Sequence, residues 1–475
     1  MSEKPSEAGS PRAASDPRTL VSHPEFVSHH SFPVFKTVGE APKGPLERAL
    51  SLFADVRAGE GVGVLLLTLN VFLLLGLYYL LRSARQALIL TEGAPFGWTG
   101  AQLAAYSAAG MALVLLGVVP AFGWLASRVA RLRLITITTV FFALNLAAFY
   151  VAGRAGAKLA PFFYIWLGVF NVFVVAQFWS FANDLYTEGQ GRRLFPFVGV
   201  GASLGALVGA SSVTPLVRRL AFTPYTLMLL AGCVLLVALV ITWIVNQRET
   251  SRGDAETQRV NEEPLGKEGG FALVLKDPYL RWIAVLTILL NVVNTVGGFL
   301  LNQLVENGSL ELGALDERQR FVTIFFSTFD ARVALLGLLL QLFATSRAIR
   351  HWGVRGSLFI LPIIALVNYS IIAVVPVLAV IRIGKILENS TDYSVQNTLR
   401  HALFLPTTRE AKYKAKSVID TFCTRFGDVL QAVVVFGGTA VGLGVYGFAW
   451  LNVGLTVAWL AVATQIAREH RKKTL

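Results

Sequence analysis

Residues 382–401 read Arg-Ile-Gly-Lys-Ile-Leu-Glu-Asn-Ser-Thr-Asp-Tyr-Ser-Val-Gln-Asn-Thr-Leu-Arg-His. On a helix, Arg382, Lys385, Glu388, Asp392 and Gln396 recur at steps of three or four and share one face. Such a stripe can hold an anion, exchange ion-pair partners or titrate. It follows directly on an apolar run, and a charge at bilayer depth costs several kcal/mol unless it faces protein or a water-filled cavity. The spacing therefore predicts a helix lining an aqueous path through a membrane protein.

Other segments repeat the pattern. Asn70, Leu74, Tyr78, Arg82 and Arg85 fall on one face of the first apolar segment, with both arginines near its outer end. Guanidinium forks there either snorkel to headgroups or bind phosphate or carboxylate bidentately. Asn291, Asn294, Gly298 and Asn302 form an uncharged polar stripe suited to interhelical hydrogen bonds. Asp330 and Arg332 are two residues apart, so they cannot face each other on a helix, and each needs a partner elsewhere. Asp420, Arg425 and Asp428 lie along a later segment, where Arg425 and Asp428 can pair locally.

The elements that must carry these residues follow from composition. The chain has 475 residues, 54% hydrophobic and 15% charged, with mean hydropathy +0.59. A soluble domain carries about 25% charged residues, so this is a polytopic membrane protein. Twelve spans are expected near 61–82, 101–126, 134–153, 160–182, 196–215, 223–246, 279–303, 321–346, 355–374, 375–398, 417–441 and 445–466. The ninth and tenth share one apolar run, divided near Val375-Pro376. Residues 1–43 read as a disordered cytoplasmic tail, and 45–58 as an amphipathic helix on the inner membrane surface. The hydrophilic stretch 247–277 divides the spans into halves at 44–246 and 278–466, and 467–475 is a basic tail. The expected fold is all-α, with two pseudo-symmetric six-helix halves in a major-facilitator-like layout.

The net charge of +13 sits in short alternate loops such as Arg128, Arg131, Arg133 and Arg347, Arg350, Arg355, while the opposite loop 306–320 is acidic. That asymmetry places both termini in the cytoplasm and argues for topology signals rather than nucleic-acid binding. Cys233 and Cys423 lie in apolar segments, and the histidines His23, His29, His30, His351, His401 and His470 lie in tails or at helix ends. These positions suit neither a metal site nor a buried proton relay. Gly199-Val-Gly-Ala-Ser-Leu-Gly205 lies in a span without a preceding strand and is not a nucleotide loop; Gly201, Gly205 and Gly209 instead mark close helix packing. With no catalytic constellation and no cofactor motif, the chain reads as a non-enzyme whose work is driven by a gradient or an exchanged partner.

Three sets of motifs carry a resemblance. Gly123-Trp-Leu-Ala-Ser127-Arg-Val-Ala130-Arg-Leu-Arg133 resembles the facilitator loop pattern. Phe178-Trp-Ser-Phe-Ala-Asn183-Asp184 with Arg193-Leu-Phe-Pro196, and Tyr393-Ser394 with Ala402-Leu-Phe-Leu-Pro406 and Glu410-Ala-Lys-Tyr-Lys-Ala-Lys416-Ser-Val-Ile-Asp420, resemble the ATP/ADP translocase family. Lys276-Asp-Pro-Tyr-Leu280 and Tyr79-Leu-Leu-Arg82 are similar to that family's seventh-span start and opening motif. The family's exchangers carry acidic residues where this chain has Gly298 and, near the fourth span, Leu167, and a lysine where it has Asp392.

The resemblance implies a secondary transporter of nucleotides in a bacterial inner membrane, with ATP/ADP-type exchange by alternating access. It implies a substrate contact at Arg82, and residue type and placement add Arg85, Tyr78, Arg382, Lys385 and Asn302 as expected contacts. From their charge within or beside the spans, gating or charge balance is expected of Asp184, Asp330, Arg332, Glu388, Asp392, Asp420, Arg425 and Asp428. Two other readings stay open. One is proton-coupled transport of another solute through Asp330 or Asp392, and the other is a non-transporting membrane scaffold or sensor.

Overall fold

The computed structural model describes residues 44–51, 56–92, 97–126, 128–186, 188–251, 269–408 and 410–474, all helix and connection with no strand among them. The first half holds α1 (Pro45–Leu50), α2 (Gly61–Thr91), α3 (Gly100–Ala126), α4 (Arg131–Arg154), α5 (Ala160–Leu185), α6 (Glu188–Arg219) and α7 (Pro224–Ser251). After the short α8 (Gly270–Lys276), the second half begins with α9 (Pro278–Leu310), α10 (Leu315–Leu339), α11 (Thr345–Ser357) and α12 (Ile360–Val374). It ends with α13 (Leu378–Thr391), α14 (Asn397–Ala402), α15 (Lys416–Val418), α16 (Thr424–Ala440) and α17 (Val445–Thr474). π-helical turns at Leu340–Ala344, Asp392–Gln396, Ala411–Ala415 and Ile419–Cys423 join successive pieces of the second half into longer rods.

Helix stands at each of the twelve expected positions. Among the described residues, nine helices are long and apolar enough to cross a bilayer. The remaining three positions are the 15-residue α12 and the polar rods α13–α14 and α15–α16. The predicted tail 1–43, residues 52–55 of the amphipathic helix and linker residues 252–268 lie outside the described residues. What is described of the linker is helical, as the end of α7 and all of α8. The outer surface carries exposed Leu113, Leu116, Leu144, Val151 and Phe162, a coat that demands lipid rather than water.

One end of the bundle, here the terminal end, gathers α1, the start of α2 and the last turn of α17. At the other, far end run the connections 92–100, 154–160, 219–224, 310–315, 374–378 and 440–445. In the first half α2 packs on α6 and α7, and α4 on α7; in the second α9 packs on α16 and α17, and α12 on α17. The halves meet where α10 lies against α2 and α6, and where α3 lies against α9 and α16.

The α2–α6 contact is the closest packed. A Cβ added at Gly201 would overlap Thr68, at Gly205 the Phe72 backbone, and at Gly209 the Gly76 backbone. The four-residue glycine spacing read from the sequence is thus a backbone-to-backbone contact. At the terminal end Glu60 accepts from both Arg193 terminal nitrogens at 3.0 and 3.2 Å and from the Arg57 N–H at 2.9 Å. Burial pushes the Glu60 carboxyl up, but these hydrogen bonds outweigh it and hold the group below the usual carboxylate range.

Two outcomes follow. Gly205→Ala should lower stability by about 1–3 kcal/mol through overpacking, read as a reduced melting temperature in detergent, whereas Gly199→Ala, whose Cβ meets open space, should be neutral. Because the folded-state pKa of Glu60 is depressed, its stabilisation is complete above the unfolded value and lost as pH falls through the folded one. Glu60→Gln should therefore melt lower at pH 7 and lose less stability than the parent on acidification to pH 4.

A polar cavity between the two halves

The helix that carries Arg82 runs on through Thr91. Arg82 thus sits about 14 Å inside the helix end, not near it as the apolar segment suggested. At that depth it reaches across to the second half, where Arg82 Nε approaches Asp330 Oδ2 at 3.3 Å. The contact closes an ion pair but is off-line for a hydrogen bond, and Asp330 Oδ2 has no donor. This resolves the Asp330 question posed by the sequence: its partner lies on α2, not on its own helix.

Around this pair lies a cavity of about 210 Å³ built from both halves. From the first half, α2 presents Arg82 and Gln86, α3 presents small residues such as Ala104 and Ala108, and α5 presents Tyr164. From the second, α9 contributes Asn294, Gly298 and Asn302; α10 contributes Phe326 and Phe329; α13 and the π turn after it contribute Lys385, Asn389 and Tyr393; and α16 contributes Gln431. The volume is below the roughly 300–1,000 Å³ of ordinary small-molecule sites.

Among the described residues, polar contacts join the halves at mid-depth and toward the far end. Beyond Arg82–Asp330 they are Gln86 Nε2 donating to Asn302 Oδ1 at 3.1 Å, and the hydroxyls of Thr214 and Ser327 at 2.8 Å. Glu306 joins them by accepting the N–H groups of Gly100 and Ala101 at 2.7 and 2.8 Å. The Glu306 carboxylate thereby fills the orphan donors at the start of α3. Toward the terminal end the walls are looser: Tyr393 is 47% exposed at mid-bundle, and Asn397 just beyond it is exposed.

Lys385 forms the second charged wall. It is 1% exposed and donates to Glu388 Oε1 at 3.0 Å, to Asn294 Oδ1 at 2.6 Å and to the Asn294 carbonyl at 3.1 Å. Glu388 in turn accepts from Tyr369 at 2.8 and 3.0 Å and from Asn368 at 3.4 Å. Gly297 and Gly384 leave room for this network, since a Cβ at either would overlap Tyr369 or Asn368. A buried lysine is tolerated there because all three of its donors are used.

The structure separates the other sequence candidates. Arg85 lies 4.3 Å over the Tyr164 ring, behind the cavity wall, with its Nε buried and unpartnered. Tyr78 is half-buried beside Tyr79 and does not line the cavity. Arg382 is turned away from the cavity, donating to Thr328 at 2.7 Å with its guanidinium over Phe325. Arg332 is exposed on α10. Asp392 is buried at the π turn with Oδ1 unpartnered. Asp184 pairs with Arg131 and Asp420 with Lys416 at the terminal end. Arg425 and Asp428 pair at 3.1 Å, as their spacing predicts, and Asn291 donates to Asp428 at 2.9 Å.

Gln86, Tyr164, Asn389, Tyr393 and Gln431 are cavity residues that sequence reading did not assign to the site. Gln86 and Asn389 each lie four residues past a recognised cation, on the same helical face, so periodicity could have found them. Tyr164 and Gln431 carry no such signal. Among the described residues there is no cluster of His, Cys, Asp and Glu suited to a metal ion.

Comparison with known proteins fits this geometry. The chain is 21% identical over 336 residues to ADP,ATP carrier protein 1 of Chlamydia muridarum, covering 62% of each chain. It is 21% identical over 331 residues to the chloroplastic ADP,ATP carrier protein 2 of Arabidopsis thaliana, covering 62% of this chain and 52% of that one. The chain thus spans less than two thirds of the length of these relatives. Among solved structures, the nucleoside transporter NupG superposes with a TM-score of 0.58 at 15% identity, covering 83% of this chain and 98% of that one. A bacterial homologue of the iron transporter ferroportin gives 0.57 at 15% identity, covering 84% and 98%. These likenesses show the major-facilitator-type fold. Residues 161–470 match the family model of the TLC ATP/ADP transporter, and the chain belongs to that family.

Proposed function

We propose that this chain is a secondary transporter that exchanges nucleotide for nucleotide across a membrane, an exchange of the ATP/ADP type, by alternating access. The observation that carries the reading is the cavity between the halves, walled by Arg82 on one side and Lys385 on the other and sealed by polar contacts toward the far end. The names of the related ADP,ATP carriers supply the solute class.

The mechanism follows from the contacts. With the terminal end open, solute enters past Tyr393 and reaches Arg82 and Lys385. The small volume requires the halves to part around the solute. Opening the far end breaks the Gln86–Asn302 bond and releases Glu306 from the start of α3. The halves rock against each other at α10, which touches both α2 and α6. Arg82, Lys385 and Asn302 hold solute, while Asp330 and Glu388 keep the cations neutralised when the site is empty. Arg85 supports Tyr164 from behind the wall, and Tyr78 flanks Arg82 and Tyr393. Asp392, Asp184, Asp420, Arg425 and Asp428 form ion-pair positions along the terminal half that rearrange as the halves move. Arg332 and Arg382 brace the outside of α10. We place both chain ends in the cytoplasm of a bacterial inner membrane, since the basic loops gather at the terminal end and the acidic one, 306–320, at the far end.

Purified protein in vesicles should take up labelled adenine nucleotide only when the vesicles are preloaded with nucleotide, and collapsing a pH gradient should leave the rate unchanged. Uptake without internal nucleotide, driven by a pH gradient, would replace exchange with proton coupling. Arg82→Ala should reduce uptake at least tenfold, roughly the loss of one charged contact, with Arg82→Lys retaining part of it. Full uptake in a folded Arg82→Ala protein would remove Arg82 from the site.

A further inference from the structure

We infer that Asp330 is a positioning residue. From behind the cavity wall it holds the Arg82 guanidinium by its Nε edge, so that the two terminal nitrogens face the cavity as a fork for phosphate. This rests on the reading of Arg82 as a solute contact and deepens it. Three features of the pair point the same way.

The first is access. Arg82 lines the cavity and its side chain is 21% exposed, whereas Asp330 does not line it and is 1% exposed. The carboxylate therefore meets Arg82 and not the solute. The second is the edge it meets. A guanidinium has a side edge at Nε and an end edge formed by its two terminal nitrogens. Asp330 Oδ2 stands 3.3 Å from Nε. Among the described residues, neither terminal nitrogen of Arg82 has a hydrogen-bond partner, and neither is buried. Tyr79, on the same helix, lies with its ring centre 5.6 Å from the guanidinium carbon and braces its face. An arginine grips phosphate best through two parallel N–H···O bonds from that free end edge. Holding the edge in place beforehand removes the ordering cost from the binding step.

The third is the place of the pair in the fold. Arg82 belongs to α2 and Asp330 to α10, the helix that touches both α2 and α6. Ser327, three residues before Asp330, meets Thr214 of α6 at 2.8 Å. The pair thus lies where the halves rock and does not have to part when either end opens. The opposite half aims the fork of Arg82, and the aim survives the movement.

A double-mutant cycle on binding of labelled ADP to the purified full chain tests this. Arg82→Lys keeps the charge and removes the fork, and should weaken ADP binding about fivefold in the parent protein. In the Asp330→Asn background, where the fork is no longer held, the same change should cost less than about twofold. Loss of the Asp330 charge acts alike on arginine and lysine at position 82, so it cancels in the comparison. An undiminished fivefold loss in folded Asp330→Asn is what a merely structural role gives. It overturns the inference while leaving nucleotide exchange and the Arg82 contact standing. A structure of the parent protein with ADP bound carries the test if Asp330→Asn does not fold. Asp330 should stay beside Nε with the terminal nitrogens on phosphate, and phosphate wedged between Arg82 and Asp330 overturns the inference. If Arg82→Lys and Arg82→Ala both leave ADP binding unchanged in the parent, the Arg82 contact falls and the inference with it.

Discussion

An ionised side chain inside a bilayer must find a counter-charge or water, and the architecture of this protein is arranged around that constraint. Arg82 and Asp330 come from opposite halves and meet at 3.3 Å in the middle of the bundle. Among the described residues, neither has an ion-pair partner within its own half to replace the other. The ion pair therefore does more than neutralise two charges: it makes the apposition of α2 and α10 the condition for keeping both inside the membrane. Lys385 and Glu388 solve the same problem locally, within one helix and its two neighbours.

These two solutions give the halves different characters. The Lys385–Glu388–Tyr369 network is internal to the second half, fully buried, and fitted around glycines at 297 and 384. Such a network rigidifies the elements it joins. The cross-half contacts seen among the described residues are interfacial: an ion pair, an amide pair, a hydroxyl pair and a carboxylate on a helix start. Each can open without unfolding a half. On the first-half side, the glycine stripe lets α6 lie directly on α2, so the helix bearing Arg82 moves with its half. Two stiff units held by a short set of polar contacts are what a rocking mechanism needs.

The π turns add a further asymmetry. The four among the described residues occur in the second half, and one of them, Asp392–Gln396, carries Tyr393 of the cavity wall. A π turn inserts a residue into the helical ladder and changes which side chains share a face. Before that turn, within regular α13, each step of three residues already rotates the face by about 60°, so the stepping from Arg382 to Glu388 overstates their alignment. Lys385, Asn389 and Tyr393 face the cavity, Glu388 turns toward α12, and Arg382 lies against α10.

The class and layout of the fold were legible in the residues alone. Apolar runs long enough for a bilayer, a central hydrophilic break and basic loops on alternate connections follow from the cost of exposing peptide and charge to hydrocarbon, and that cost is paid segment by segment. Local pairs such as Arg425–Asp428, and the glycine register on α6, were legible for the same reason: their geometry is set by one helix. What the tertiary structure decided is who faces whom across helices. Asp330 with Arg82, Gln86 with Asn302, and Tyr164 and Gln431 in the cavity wall join residues more than a hundred positions apart or without any periodic signal. Arg82 lies deeper than the expected span end at 82 because α2 continues through the buried apolar turn Ala87-Leu-Ile-Leu90 to Thr91. Periodicity fixes a side chain's angle on its own helix, but the partner at that angle is set by how whole helices pack.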